Sequence, residues 1–188
     1  MIEYAYRELS EYHRVRGTFL LPPVLNEFRR EYPAIHVEIV EANSMDLENM
    51  LKNGTIDIAL IILPAKTLKH NIQVLMRDEI CIIAGSSHPV LKFAQPSPPS
   101  SKSRIPKYIN LKDAIEFEFL LSDYDTILGR ESRRIFREHD LIPKVHNEKL
   151  SAFMAASMGA AGLGLAFTYY CARNYYSQAE FLSLESGR

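Results

Sequence analysis

GTFLLPPVLNEFRREYPAIHVEIVEANSMDLENMLKNGTIDIALI, residues 17–61, alternates the two hydrophobic periods from which an α/β sheet is built. Leu21, Val24, Leu25 and Phe28 recur at helical spacing, which predicts a helix within Arg16–Pro33. Pro22 and Pro23 are tolerated in a first turn, so the helix proper is expected to start near them, and Pro33 ends it. Ala34–Ala42 then alternates, with Ile35, Val37 and Ile39 on one face and His36, Glu38 and Val40 on the other, the pattern of a strand. Ser44 is the expected cap of a second helix with the apolar stripe Met45, Leu47, Met50 and Leu51, and Asn53-Gly54 stops it. Ile56–Leu63 is apolar but for Asp57, the composition expected of a buried parallel strand. Strand, helix, strand is the repeating unit of an α/β fold.

The rest of the chain extends this plan. Ile72–Ala84 reads as the longest strand, interrupted by Asp78 and Glu79, where it bends or crosses between lobes. Gly85–Leu91 is a turn into a short helix, and the Pro- and Ser-rich stretch Phe93–Pro106 reads as an exposed, mobile loop without core packing. A second run follows: a short helix capped by Asn110, a strand Phe117–Leu121, a helix Thr126–His139, and a strand Pro143–Asn147. Then come a small-residue helix Leu150–Ala160, a glycine turn into a strand over Gly162–Thr168, a helical Tyr169–Tyr176 and a last strand beginning at Phe181. The expectation is two α/β lobes, residues 1–77 and 78–184, the second carrying the loop 94–106.

Composition narrows the function. The chain has 188 residues, 47% hydrophobic and 24% charged, with 22 basic against 23 acidic side chains. That balance argues against nucleic-acid binding by this segment itself, which rests on clustered Lys and Arg. Two cysteines rule out a disulfide scaffold, and no apolar stretch is long enough to span a bilayer. No secretory leader is visible in the charged first residues, so the expected setting is the cytoplasm.

Few motifs carry chemistry. Cys81 and Cys171 lie far apart in apolar surroundings and read as buried, inert thiols. The histidines at 13, 36, 70, 88, 139 and 146 form no metal-type spacing. Gly159, Gly162 and Gly164 follow a helix and precede a strand, the reverse of a dinucleotide loop, and serve helix termination and close packing. Asp123 and Asp125 read as a helix lead-in, and no nucleophile, base and orienter set is present, so no enzyme is expected. Two segments between strand and helix draw a binding reading: Ser10–Thr18, with Ser10, Tyr12, His13, Arg14 and Thr18 as donors, and Ser122–Thr126. Ligands of open α/β sheets sit at carboxyl ends of strands, beside helix N-termini. These side chains either line a polar cleft or merely cap their turns.

The series from the leucine–proline helix through YP and the strand to NGTIDIALI resembles the start of the effector-binding domain of LysR-type transcriptional regulators. GSSHPVL (Gly85–Leu91), INLKDAIEFEFLLSDYDTILGRESRRIFREHDLIPKV and NEKLSAFMAASMGAAGLGLAF resemble its later segments in order, so the resemblance covers Ser10 to Phe167. It implies a periplasmic-binding-protein-like fold of two Rossmann-like lobes with a hinge and an effector cleft. It also implies a homodimer or homotetramer, a small anionic or polar metabolite as effector, DNA bound only through a winged helix-turn-helix outside this chain, and no cofactor or metal. The contact residues it implies are Ser10, Glu11, Tyr12 and His13, then Tyr124, Asp125 and Thr126, and Thr168 after the glycine strand. The helices Leu20–Arg30 and Thr126–Arg137 are implied at an antiparallel dimer interface, with Arg29, Arg30, Arg133 and Arg134 either as its rim or as a solvated face. The family's return strand and final helix are expected to lie beyond residues 185–188, leaving the first lobe without an internal strand. The same fold also serves transporter solute-binding proteins, the alternative reading.

Overall fold

The computed structural model describes residues 11–42, 44–61, 63, 65 and 67–184. The chain divides into two compact units, Met1–Arg77 and Asp78–Arg188.

Among its described residues the first unit holds two helices and no strand. Helix α1 spans Glu11–Glu31, with Pro22 and Pro23 inside it, not at its first turn as the sequence predicts. Each proline removes one bond to a carbonyl four residues back, yet eleven helical residues precede Pro22 and eight follow Pro23, enough to hold the helix on both sides. Helix α2, Ser44–Lys52, matches its prediction and ends in the expected glycine stop. The Gly54 N–H donates to the Leu51 carbonyl at 3.2 Å and the Thr55 N–H to that of Met50 at 2.9 Å, with Gly54 at φ +69°. That pair of bonds is a Schellman ending, and the left-handed residue it needs is the glycine.

The strands expected at 34–42 and 56–63 do not form among the described residues. Neither stretch has a ladder partner among the described residues. A strand is a property of a pair, because its N–H and C=O groups bond outside the segment. Hydrophobic alternation alone does not supply that partner: Val37 is 42% exposed and Ile58 87%.

The second unit is built on one mixed sheet of seven strands: β1 Ile80–Gly85, β2 Gln95–Pro96, β3 Lys107–Ile109, β4 Glu118–Ser122, β5 Lys144–Leu150, β6 Leu165–Tyr169 and β7 Ala179–Leu184. Their order is β2-β3-β7-β1-β6-β4-β5. The pairs β4–β5, β4–β6 and β3–β7 are parallel, while β1 runs antiparallel to β6 and β7. The long strand predicted from Ile72 begins only at Ile80, after the acidic pair. There the Asp78 carboxylate accepts the Cys171 N–H at 3.1 Å, and the Glu79 carbonyl accepts that of Tyr170 at 2.9 Å.

Helices α3 (Leu111–Ala114), α4 (Ile127–Glu138) and α5 (Ala152–Ala160) pack around this sheet. Phe136 of α4 meets Phe119 and Phe167 edge-on at 5.0 and 5.5 Å. On the other side, a Cβ on Gly159 of α5 would lie 3.0 Å from the Ala166 side chain and 3.2 Å from that of Ile83. Residues 166 and 167 are consecutive in β6 and point to opposite faces, so α4 and α5 cover the two faces of the sheet. Each fully buried phenylalanine contributes about 1.5–3 kcal/mol.

The Pro- and Ser-rich stretch differs from its prediction. Gln95–Pro96 pairs with Lys107–Tyr108, Ser97 donates to the carbonyls of Pro106 and Ile105, and Ile105 is 1% exposed. Ile105 anchors the stretch to the core beside these hydrogen bonds.

Candidate functional site

Three parallel strands, β4, β5 and β6, end on the same side of the sheet, and α4 and α5 begin there. Ser122 pairs with Leu150, so the two helix starts lie on adjacent strands. Thr126 caps α4: its Oγ1 accepts the Gly129 N–H at 2.8 Å and donates to the Asp123 carbonyl at 2.8 Å. Ser151 caps α5 through the Met154 N–H at 3.1 Å. An N-terminal turn of a helix carries unsatisfied N–H groups and the positive end of its dipole, so this rim suits an anion.

The connecting turn, Asp123 to Asp125, is closed from within. The Asp123 carboxylate accepts the Asp125 N–H at 2.9 Å, and the Asp123 N–H reaches the Leu150 carbonyl at 2.8 Å. Tyr124 is exposed, with the Arg133 guanidinium 5.7 Å from its ring centre.

Of the residues expected to contact an effector, Tyr124, Asp125 and Thr126 come together in this turn. Ser10 lies outside the described residues. Glu11, Tyr12 and His13 lie in helix α1 instead of a loop. Thr168 lies within β6, not after it, since β1 pairing continues through Ile80 and Tyr169. It is 1% exposed, opposite Cys81, whose thiol donates to its carbonyl at 3.6 Å.

Sequence reading missed Arg133, which a helical wheel sets on the outer face of α4. Its long side chain folds back: Nη1 donates to the carbonyls of Ser122 and Gly129, each at 2.8 Å, and Nη2 to that of Glu148 at 3.3 Å. Only 18% of the side chain is exposed. Arg134 pairs with Glu131 and Glu138 on its own helix.

No group of His, Cys, Asp and Glu among the described residues could hold a metal ion. Both cysteines are buried, and burial, followed by the charges of Asp78 and Glu79, pushes the Cys81 thiol well above its ordinary pKa. A thiol held protonated is a poor nucleophile. No helix among the described residues is long and apolar enough to cross a membrane.

The model of the LysR substrate binding domain matches residues 16–181, and the chain belongs to that family. Among its relatives, the probable HTH-type transcriptional regulator LrrA of Synechococcus elongatus (strain ATCC 33912 / PCC 7942 / FACHB-805) is 29% identical over 158 residues, 81% of this chain and 47% of that protein. The uncharacterized HTH-type transcriptional regulator YcgK of Bacillus subtilis (strain 168) is 31% identical over 68 residues, 36% of this chain and 21% of that protein. The chain thus spans about half the length, or less, of these curated relatives. Among solved structures, the CcmR regulatory domain of Synechocystis PCC6803 in complex with 2-PG superposes with a TM-score of 0.63 at 18% identity, covering 91% of this chain and 77% of that one. The BenM effector-binding domain with its effector benzoate gives 0.56 at 21% identity, covering 90% and 73%. These likenesses establish the mixed α/β fold of LysR substrate-binding domains expected from the sequence.

Proposed function

We propose that this chain is the effector-sensing and oligomerising part of a LysR-type transcription regulator, working in the cytoplasm as a homodimer or homotetramer. A small anionic or polar metabolite is its effector, and DNA is bound through a winged helix-turn-helix outside this chain. No enzymatic step, cofactor or metal enters this reading. The observation that carries it is the convergence of the α4 and α5 starts at the carboxyl ends of β4 and β5, with Tyr124, Asp125 and Thr126 on the turn between β4 and α4. Thr168, buried within β6, stays in the proposal with Ser10, Glu11, Tyr12 and His13 through the family resemblance alone.

A ligand shifts a two-state protein only by its differential affinity, and moving a population from 1:99 to 99:1 takes about 5.5 kcal/mol. Two or three charge-assisted hydrogen bonds at about 1.5–3 kcal/mol each supply that. The test is thermal denaturation and calorimetric titration with a panel of small carboxylates and phosphates, starting with 2-PG and benzoate, the ligands named with the two solved structures above. A true effector at a hundred times its Kd stabilises the protein by about 2.7 kcal/mol. Thr126→Ala should weaken its binding; a panel without any saturable binder, or unchanged binding in that variant, contradicts the reading.

A further inference from the structure

The carbonyls of residues 122–125 leave the sheet where its ladder ends, and each finds its partner on α4 or in its cap. Ser122 accepts from Arg133, Asp123 from the N–H and hydroxyl of Thr126, and Tyr124 and Asp125 from Nη1 of Arg130 at 3.4 and 2.6 Å. Arg130 is exposed and acts on the turn through one nitrogen. Arg133 is mostly buried and ties together four pieces: the end of β4 (Ser122), the first turn of α4 (Gly129), β5 (Glu148) and the ring of Tyr124.

We infer that Arg133 is the positioning residue of the 122–126 turn, holding Tyr124, Asp125 and Thr126 in place by bridging backbone carbonyls of two strands and a helix. Its purpose rests on the effector-site reading above. The planar guanidinium sets the bridge, because it directs several N–H groups at fixed angles while a lysine offers one compact charge. The Glu148 carboxylate is peripheral: it lies 3.5 Å from Nη2 and is 61% exposed, where an ion pair contributes little.

The test is residue-resolved hydrogen exchange of the whole chain. The Asp125 and Thr126 N–H groups donate within this turn and that of Asp123 to the Leu150 carbonyl, and those of Phe119–Leu121 report on the β4 core. Arg133→Gln should speed exchange at 123, 125 and 126 by tenfold or more and leave 119–121 within twofold. Arg133→Lys should recover only part of the protection, and Glu148→Gln should leave it unchanged. Should Arg133→Gln fail to fold, Arg133→Lys decides with the same selective acceleration. Unchanged exchange in the turn, an equal rise in turn and core, or full rescue by lysine overturns the inference. Titration of wild type and variants with 2-PG and benzoate is scored separately, so absence of an effector and absence of the clamp give different results.

Discussion

A Cβ placed on Gly129 would stand 1.9 Å from the carbonyl oxygen of Asp123. The first turn of α4 therefore lies against the turn that precedes it with no room for any side chain. Gly129→Ala should force the two apart, costing about 1–3 kcal/mol as an overpacking substitution, and it should loosen the turn around Thr126. Urea denaturation and the exchange of the Thr126 amide measure it; a variant as stable as wild type would mean the contact is wider than described. Gly54 makes a useful contrast, with open space around it but φ +69°, so that Gly54→Ala strains the backbone alone, by about 1–2 kcal/mol.

The Thr126 hydroxyl both accepts from Gly129 and donates to Asp123. Thr126→Ala should lower stability by about 0.5–2 kcal/mol, while Thr126→Ser keeps the cap and stays close to wild type. The urea midpoints of the two variants check this, and equal losses in both would point to packing of the methyl group instead.

His88 offers a pH dependence. Its Nδ1 accepts the Val90 N–H at 3.2 Å, capping the short helix Pro89–Lys92, and burial holds the imidazole below its ordinary pKa of 6.5. The unfolded chain therefore takes up this proton first, so stability rises with pH between the folded value and 6.5. The contribution is complete above that window and is lost as pH falls through the folded value. His88→Asn keeps an acceptor without a titrating group and should flatten this part of the Tm profile between about pH 5 and 7. An unaltered profile would assign the dependence elsewhere.

In the first unit, the buried Glu48 carboxylate accepts the Thr67 N–H at 2.6 Å, the Thr67 hydroxyl at 2.5 Å and the Leu68 N–H at 3.3 Å. Glu48→Ala should cost about 1–3 kcal/mol by stripping these donors of their acceptor, with faster exchange at residues 67 and 68. Protection unchanged there would show that other contacts hold that segment.

The second unit was largely legible from sequence because its signals are local and its partners lie within it. Asn110 and Thr126 cap the helices expected of them, and the glycine turn after α5 forms as read. The alternation of Ile35, Val37 and Ile39 was equally clear, yet a strand depends on a neighbour that no local pattern records. Ile105 shows the converse, one buried side chain in a stretch whose composition says loop. At the candidate site, Tyr124, Asp125 and Thr126 follow from a turn between strand and helix. Arg133 does not, because its Cα direction says solvent while its reach lets the guanidinium return to the strand ends.

The central claim, that the rim of β4, β5 and the starts of α4 and α5 senses a small solute, is tested most directly by an amide NMR titration. 2-PG, benzoate and a panel of small carboxylates would be added in turn to the whole chain. The account predicts that one class of anion shifts the amides of residues 123–128 and 151–154 saturably, and that Thr126→Ala weakens the response. Saturable binding that leaves those amides in place, or no response to any anion of the panel, would contradict it.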